Sequence, residues 1–213
     1  MTDLLITSTD IFRWMTGFAK SINENRQRLT ELDAAIGDGD HGVNMDRGLT
    51  AVVPKLMAID GDISLLMKTT GMTLLSTVGG ASGPLYGTFF LHAAQTCARK
   101  ERLNLDDWIA LLDAGMSGVM TRGKAVAGDK TMLDALAPAI DALRDSSTTH
   151  LSFEQALHAS TVAAERGLQS TFSMIAKKGR ASYLGERSIG HLDPGAASMA
   201  LLIAAAEAAF CGA

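Results

Sequence analysis

Three aspartates and three glycines fall within ten residues in the run Asp33-Ala34-Ala35-Ile36-Gly37-Asp38-Gly39-Asp40-His41-Gly42. Carboxylates at that density form an all-oxygen donor set, the kind a hard cation such as Mg2+ takes. On one continuous helix Asp33 and Asp40 would share a face while Asp38 pointed about 140° away, so the three could not converge. The glycines must therefore break the helix. A turn from Gly37 to Gly42 would fold Asp38 and Asp40 back toward Asp33, at the end of the preceding helix. A new helix is expected to start near Val43 or Asn44. The unpaired N–H groups of its first turn, beside carboxylate-held Mg2+, make a place for a phosphate.

The same letters imitate other motifs. Gly37 to Gly42 fits the dinucleotide fingerprint G-x-G-x-x-G, but that motif follows a hydrophobic strand, and Glu31 to Ile36 is acidic and helix-like. An EF-hand counted from Asp38 would need glycine at Val43 and glutamate at Leu49. Gly118 to Ala125 nearly spells a P-loop, yet Ala125 replaces the hydroxyl that binds Mg2+ and no strand precedes it. A polar capping turn that binds nothing is the remaining alternative for the acidic run. Two further segments invite a ligand. Gly79-Gly80-Ala81-Ser82-Gly83-Pro84 is small enough for close approach to the backbone, or is an ordinary helix–helix turn. Lys177 to Asp193 is a long stretch without periodicity, basic where the first loop is acidic, and reads as a lid or as a solvated connector.

Helices must carry these loops. Ile11, Met15, Phe18 and Ile22 make a first amphipathic helix that continues through Leu29 and Leu32 to deliver Asp33. Met45, Leu49, Val52, Val53 and Leu56 make a second, which Pro54 should kink or break. Asp62 caps a third through Leu74, and Pro84 sits in the first turn of a fourth. Asn104 and Asp107 cap a fifth that runs to about Thr121. A sixth begins near Asp129, and Ser152 with Gln155 boxes a seventh from Phe153 to about Ala176. Asp193-Pro194 opens an eighth, rich in Ala, Leu and Met. Eight helices joined mainly by short turns predict an all-α, antiparallel up-and-down bundle closed into a barrel. In such a topology the loops after helices one, three, five and seven share an end, so the acidic loop, Gly79–Pro84, Arg122–Asp129 and Lys177–Asp193 meet there.

At 213 residues and 47% hydrophobic, the chain suits one core, and we read residues 1–213 as a single domain. A net charge of −4 without a long basic run leaves no electrostatic footprint for nucleic acid. Cys97 and Cys211 lie apart in apolar, helix-like contexts and read as buried thiols suited to the cytosol. The N-terminus carries no basic and apolar leader pattern. The most apolar stretch, Ala196 to Phe210, is short for a span and contains Glu207, so no membrane is expected and the location reads as cytoplasmic.

Taken together, Gly37 to Gly42, Thr70 to Leu75, Gly79 to Pro84, Gly128-Asp129-Lys130-Thr131-Met132 and Lys178 to Gly195 resemble the ADP-binding L subunits of bacterial dihydroxyacetone kinases that draw phosphate from the phosphoenolpyruvate phosphotransferase system. The resemblance covers essentially the whole chain. It implies a barrel of eight helices with a nucleotide at one end and two Mg2+ ions held by Asp33, Asp38 and Asp40. It further implies nucleotide contacts from His41, Gly42, Val43 and Asn44, from Ala81 and Ser82, from Gly123 and Met132, from Arg180, and from Asp193, Pro194 and Gly195. Asp33, Asp38, Asp40 and Arg180 then serve the transfer itself. ADP would stay bound as a coenzyme, cycling with ATP. A phosphohistidine-carrying M subunit would supply the phosphate, and a separate K subunit would hold the dihydroxyacetone; a homodimer is left open. Pro54 is not a residue the family is expected to require, and bears on the straightness of the second helix. The alternatives are an ATP-exchanging triose or sugar kinase subunit and a non-catalytic ADP-binding regulator.

Overall fold

The computed structural model describes residues 4–149 and 151–212. Among them are nine α-helices, two 3-10 segments and one two-stranded ribbon. In chain order these are β1 (Ile6–Thr7), α1 (Ser8–Glu24), α2 (Arg26–Ile36), α3 (His41–Leu56), α4 (Ile63–Thr77), α5 (Ser82–Thr96), β2 (Arg102–Leu103), α6 (Leu105–Gly123), α7 (Leu133–Thr148), α8 (Phe153–Ser170) and α9 (Pro194–Cys211). The 3-10 segments are Thr171–Ser173 and Arg180–Ser188. β1 pairs antiparallel with β2, joining the chain's start to the approach to α6. The all-α class expected from sequence holds.

The helix count differs from the expected eight because the first helix breaks at Asn25. Its side-chain amide donates to the Ser21 carbonyl and its main chain leaves the helical region, so one helix ends and the next begins on the same residue. The caps elsewhere follow the sequence. Thr7 with Asp10, Asn104 with Asp107 and Ser152 with Gln155 form reciprocal capping boxes, while Asp62 and Asp193 accept from the first turns of α4 and α9. Pro54 lies in the last turn of α3, where the helix ends two residues later. Two helices are shorter than their periodicity suggested. α7 starts at Leu133, which frees residues 129–132 to act as a loop wall, and α8 stops at Ser170 rather than near Ala176.

From α3 onward, consecutive helices pack on one another, and α1 packs on both α3 and α9. α9 is apolar on every side and touches α1, α2, α7 and α8, as expected of a helix inside a core. By length and mean hydropathy this 18-residue helix could cross a membrane, as the core helix of a folded protein also could, and 61% of it is buried in the protein, in line with the expectation that the stretch does not span a membrane. Trp14 of α1 stacks edge-on against Trp108 at 4.9 Å, Trp108 meets Phe210 of α9 at 5.1 Å, and the Trp14 indole donates to the Leu202 carbonyl at 2.9 Å. Each such aromatic pair adds about 1 kcal/mol beyond area burial, and the indole hydrogen bond removes the cost of hiding its N–H. Cys97 is buried as expected, whereas Cys211, on the last residue of α9, is exposed.

Candidate functional site

The acidic turn is built as the spacing required. α2 ends at Ile36, Gly39 takes φ +73°, and α3 begins at His41, two or three residues earlier than the Val43 or Asn44 start expected. The left-handed φ at Gly39 is open to glycine with little cost, and it turns the chain so that oxygens of Asp33, Asp38 and Asp40 lie within 4.8 Å of one another. Asp33 Oδ2 accepts the N–H groups of Asp40 at 2.8 Å and His41 at 3.1 Å, so the carboxylate that closes α2 also caps α3. Asn44 N–H is spent inside the helix on the Asp40 carbonyl. The free donors of the first turn are therefore those of Gly42 and Val43. Gly42 packs directly on α2: a Cβ there would come 2.1 Å from the Arg26 carbonyl, so a side chain would push the two helices apart and open the carboxylate cluster.

All four expected loops line two adjoining hollows. The smaller, about 150 Å³, is walled by Asp33, Asp38, Asp40, Gly80 and Arg180. The larger, about 290 Å³, is walled by Leu85, Tyr86, Val119, Gly123, Met132 and Gly195. His41, Ala81, Ser82, Lys178, Gly179 and Asp193 belong to both. One hollow is thus acidic and polar and the other mainly apolar, with a shared wall between them.

His41 is buried on that wall, its Nδ1 at 2.9 Å from Ser82 Oγ and its Nε2 at 2.9 Å from Ser198 Oγ; Ser198 Oγ also lies 2.7 Å from the Tyr86 hydroxyl. Both ring nitrogens are engaged. Burial lowers its pKa to about 4 against the opposing pull of Asp33 and Asp40, so the ring is neutral near pH 7. Burial likewise raises the Tyr86 hydroxyl, which stays protonated. Asp193 caps α9 through the Ala196 N–H at 2.7 Å, and its pKa rises to about 7, chiefly through burial and then through Asp134, with the Ala196 bond acting the other way. Arg180, the first residue of the second 3-10 segment, reaches the cluster: its Nη2 lies 2.9 Å from Asp38 Oδ2.

Of the residues singled out from sequence, Asp33, Asp38, Asp40, His41, Ala81, Ser82, Gly123, Met132, Arg180, Asp193 and Gly195 line one hollow or both. Gly42, Val43, Asn44 and Pro194 line neither. Gly42 supports the turn from behind, Val43 is exposed, and buried Asn44 accepts from Arg47 at 2.7 Å. Pro194 is buried as the first residue of α9. Sequence reasoning did not single out Leu85, Tyr86 or Val119 as site residues, because apolar cavity walls carry the same periodicity as core. Lys130 and Thr131 were within reach, since they belong to the Gly128–Met132 run.

The three carboxylates suit a hard divalent cation: all the donors are oxygens, close enough to share an ion, and Asp33 Oδ1 is not used in capping α3.

Residues 35–208 match the DAK2 domain family. The chain is 51% identical over 199 residues, 93% of its length and 95% of the relative's, to a protein of Escherichia coli (strain K12) named PEP-dependent dihydroxyacetone kinase, ADP-binding subunit DhaL. It is 46% identical over 191 residues, 89% of its length and 90% of the relative's, to PEP-dependent dihydroxyacetone kinase 1, ADP-binding subunit DhaL, of Listeria innocua. Among solved structures it resembles the dihydroxyacetone kinase from C. freundii in complex with AMP-PNP and Mg2+, with a TM-score of 0.70 and 26% identity over 92% of this chain and 33% of that one.

Proposed function

We propose a function from one premise: this chain belongs to the DAK2 domain family, among the ADP-binding subunits of dihydroxyacetone kinases. It is a phosphoryl-transfer subunit that keeps Mg-ADP as a bound coenzyme, takes phosphate from a phosphohistidine-carrying M subunit of the phosphotransferase system, and passes it to dihydroxyacetone on a K subunit. Residues 1–213 act as one nucleotide-binding unit. The chain works in the cytoplasm with both partners, and its mass in solution decides whether it pairs with itself.

The observation that carries this reading is the junction of the two hollows. The apolar one suits a base and sugar, and the carboxylate one suits phosphates with their cations. Asp33, Asp38 and Asp40 would hold Mg2+, which when bound supplies charge neutralisation and alignment for the transferring group. Two ions fit the charge: ADP brings about −3 and the aspartates −3, so two leave about −2 and one leaves about −4. Arg180 offsets part of the remainder, and the first-turn N–H groups of Gly42 and Val43 are the donors free for a phosphate oxygen. His41 orients Ser82 and does not carry phosphate, since both of its nitrogens are bonded in a buried site.

The test uses labelled phosphate on the phosphohistidine donor. Label is expected on bound nucleotide, recovered as ATP, and then on dihydroxyacetone once the K subunit is added. Acid-labile label left on the protein after nucleotide removal, and lost in His41→Ala, would overturn the reading.

A further inference from the structure

Lys130 is fully buried, yet among the described residues its ammonium forms no direct ion pair with a carboxylate. Its three partners are main-chain carbonyls: Met174 at 3.2 Å, Ser188 at 2.5 Å and His191 at 2.6 Å. An ammonium has three protons to donate, and here all three are used. A buried charge without a directly paired carboxylate is costly, and burial lowers the pKa of this lysine, opposed at longer range by the charge of Asp193. The backbone is unfavourable too, at φ +61° on a residue with a side chain. Two local costs at one residue call for a reason.

The reason lies in which carbonyls converge. Met174 precedes the basic loop, while Ser188 ends its 3-10 segment and His191 follows it, so Lys130 gathers both feet of the loop at one point. Neighbouring bonds close the same neck. Ala176 N–H donates to Ser188 Oγ at 2.9 Å, Gly190 N–H to the Phe172 carbonyl at 2.8 Å, and Lys177 N–H to the Asp129 carbonyl at 3.0 Å. The result is an Ω-shaped arch with a tight neck and an open body, in which Tyr183 is 87% exposed and Gly185 takes φ +55°. The arch packs against α2 and reaches the turn that follows it, where Arg180 meets Asp38.

We infer that Lys130 is a positioning residue: it acts as an internal cation that pins the neck of the 174–191 arch to the Gly128–Met132 wall and so holds Arg180 over the carboxylate hollow. The part played by Arg180 toward a phosphate rests on the nucleotide reading above; the clasp does not. Without the ammonium, three carbonyl dipoles would point at one another with no donor between them, and the feet would part.

The experiment uses the full chain carrying Lys130→Met, which keeps the length and loses the charge, and Lys130→Gln, which keeps two donors. In nucleotide-free protein, amide exchange at Ala176, Lys177 and Gly190 is expected to quicken at least tenfold in Lys130→Met and less in Lys130→Gln, with α1, α4 and α5 unchanged. Mg-ADP should bind Lys130→Met at least tenfold more weakly, and Lys130→Met with Arg180→Ala should bind no more weakly than Arg180→Ala alone. Unchanged exchange at the feet, exchange quickened equally in the core, or fully additive losses of affinity would each overturn the inference. Should Lys130→Met not fold, Lys130→Gln carries the same expectations at smaller size, since it keeps fewer of the donors to Met174, Ser188 and His191. Wild-type protein that binds no Mg-ADP would refute the functional reading, and the exchange result would then decide the clasp by itself.

Discussion

Oδ2 of Asp33 accepts the N–H groups of Asp40 and His41 at the start of α3, and that cap separates folding from binding among three similar carboxylates. Asp33→Ala removes a helix cap as well as a cation ligand, so nucleotide-free protein should lose about 1 kcal/mol of stability in addition to its Mg-ADP affinity. Asp38→Asn should lose tight Mg-ADP binding while the nucleotide-free melting temperature stays at or above that of wild type, since it relieves like charges that lie within 4.8 Å. Equal melting temperatures for the two metal-free variants would contradict the cap. His41 gives a pH signature. Its folded pKa of about 4 lies below the ordinary 6.5, so the unfolded chain takes up the proton first as pH falls. The stability from its burial is therefore present above about pH 6.5 and is lost on the way down to about pH 4. Asp193 has the opposite sign: its folded value of about 7 lies above the ordinary 3.8, so its contribution is lost as pH rises through that window. The two slopes oppose each other, each at about 1.4 kcal/mol per pH unit. In EDTA-treated protein, the stability of wild type relative to His41→Gln should therefore grow by about 3 kcal/mol from pH 4 to pH 6.5, and denaturant titrations at several pH values read that difference directly. A pH-independent difference would mean that the imidazole is not held neutral.

Capping signals made the elements legible, and tertiary contacts hid the rest. Asp62, Asn104, Ser152 and Asp193 announced four helix starts because a side-chain oxygen three residues before a free N–H is a local arrangement, complete in the sequence. The break at Asn25 was not legible, since Leu29 keeps step with Ile22 at i+7 and the apolar stripe passes through the break unmarked. The early end of α8 was hidden for a different reason. The Thr171 hydroxyl accepts the N–H of Asp193, a partner 22 residues away that no local pattern reveals. The loop from Lys177 to Asp193 was recognisable by its length and glycines, but not its 3-10 content or the lysine that closes its neck. Loops pinned at the feet and open in the body swing as units. Cleavage within residues 178–190 should be fast in nucleotide-free protein and slow with Mg-ADP, because Arg180 then has a phosphate as well as Asp38 to hold. Arg180→Lys should not restore that protection if the guanidinium grips in two places, since an ammonium lacks the planar fork. Cleavage at the same rate with and without Mg-ADP would refute a closing role for the arch.

The whole molecule gathers the four loops that line the two hollows, and each comes from a different pair of helices. The α2–α3 turn brings the carboxylates, the α4–α5 turn brings Ala81 and Ser82, the α6–α7 loop brings Met132, and the arch before α9 brings Arg180. The carboxylate turn and the first residue of α3 reach two of the other three loops through side-chain contacts, Arg180 with Asp38 and His41 with Ser82. A ligand spanning both hollows would add to those ties. Binding at one hundred times Kd stabilises the folded state by about 2.7 kcal/mol, and for a chain of this size each kcal/mol moves Tm by about 2–4 °C. Mg-ADP at that excess should therefore raise Tm by about 5–11 °C, and EDTA added to nucleotide-loaded protein should reverse most of the rise. Asp38→Asn should show neither the rise nor the reversal. The location of the effect is as telling as its size: amide exchange should slow in all four loops together, while the far end, where Asn104 and Ser152 cap α6 and α8, should keep its unliganded rates. Protection confined to the apolar hollow, with a Tm indifferent to EDTA, would mean that the nucleotide is held by its base alone and that the aspartates serve the turn and not the metal.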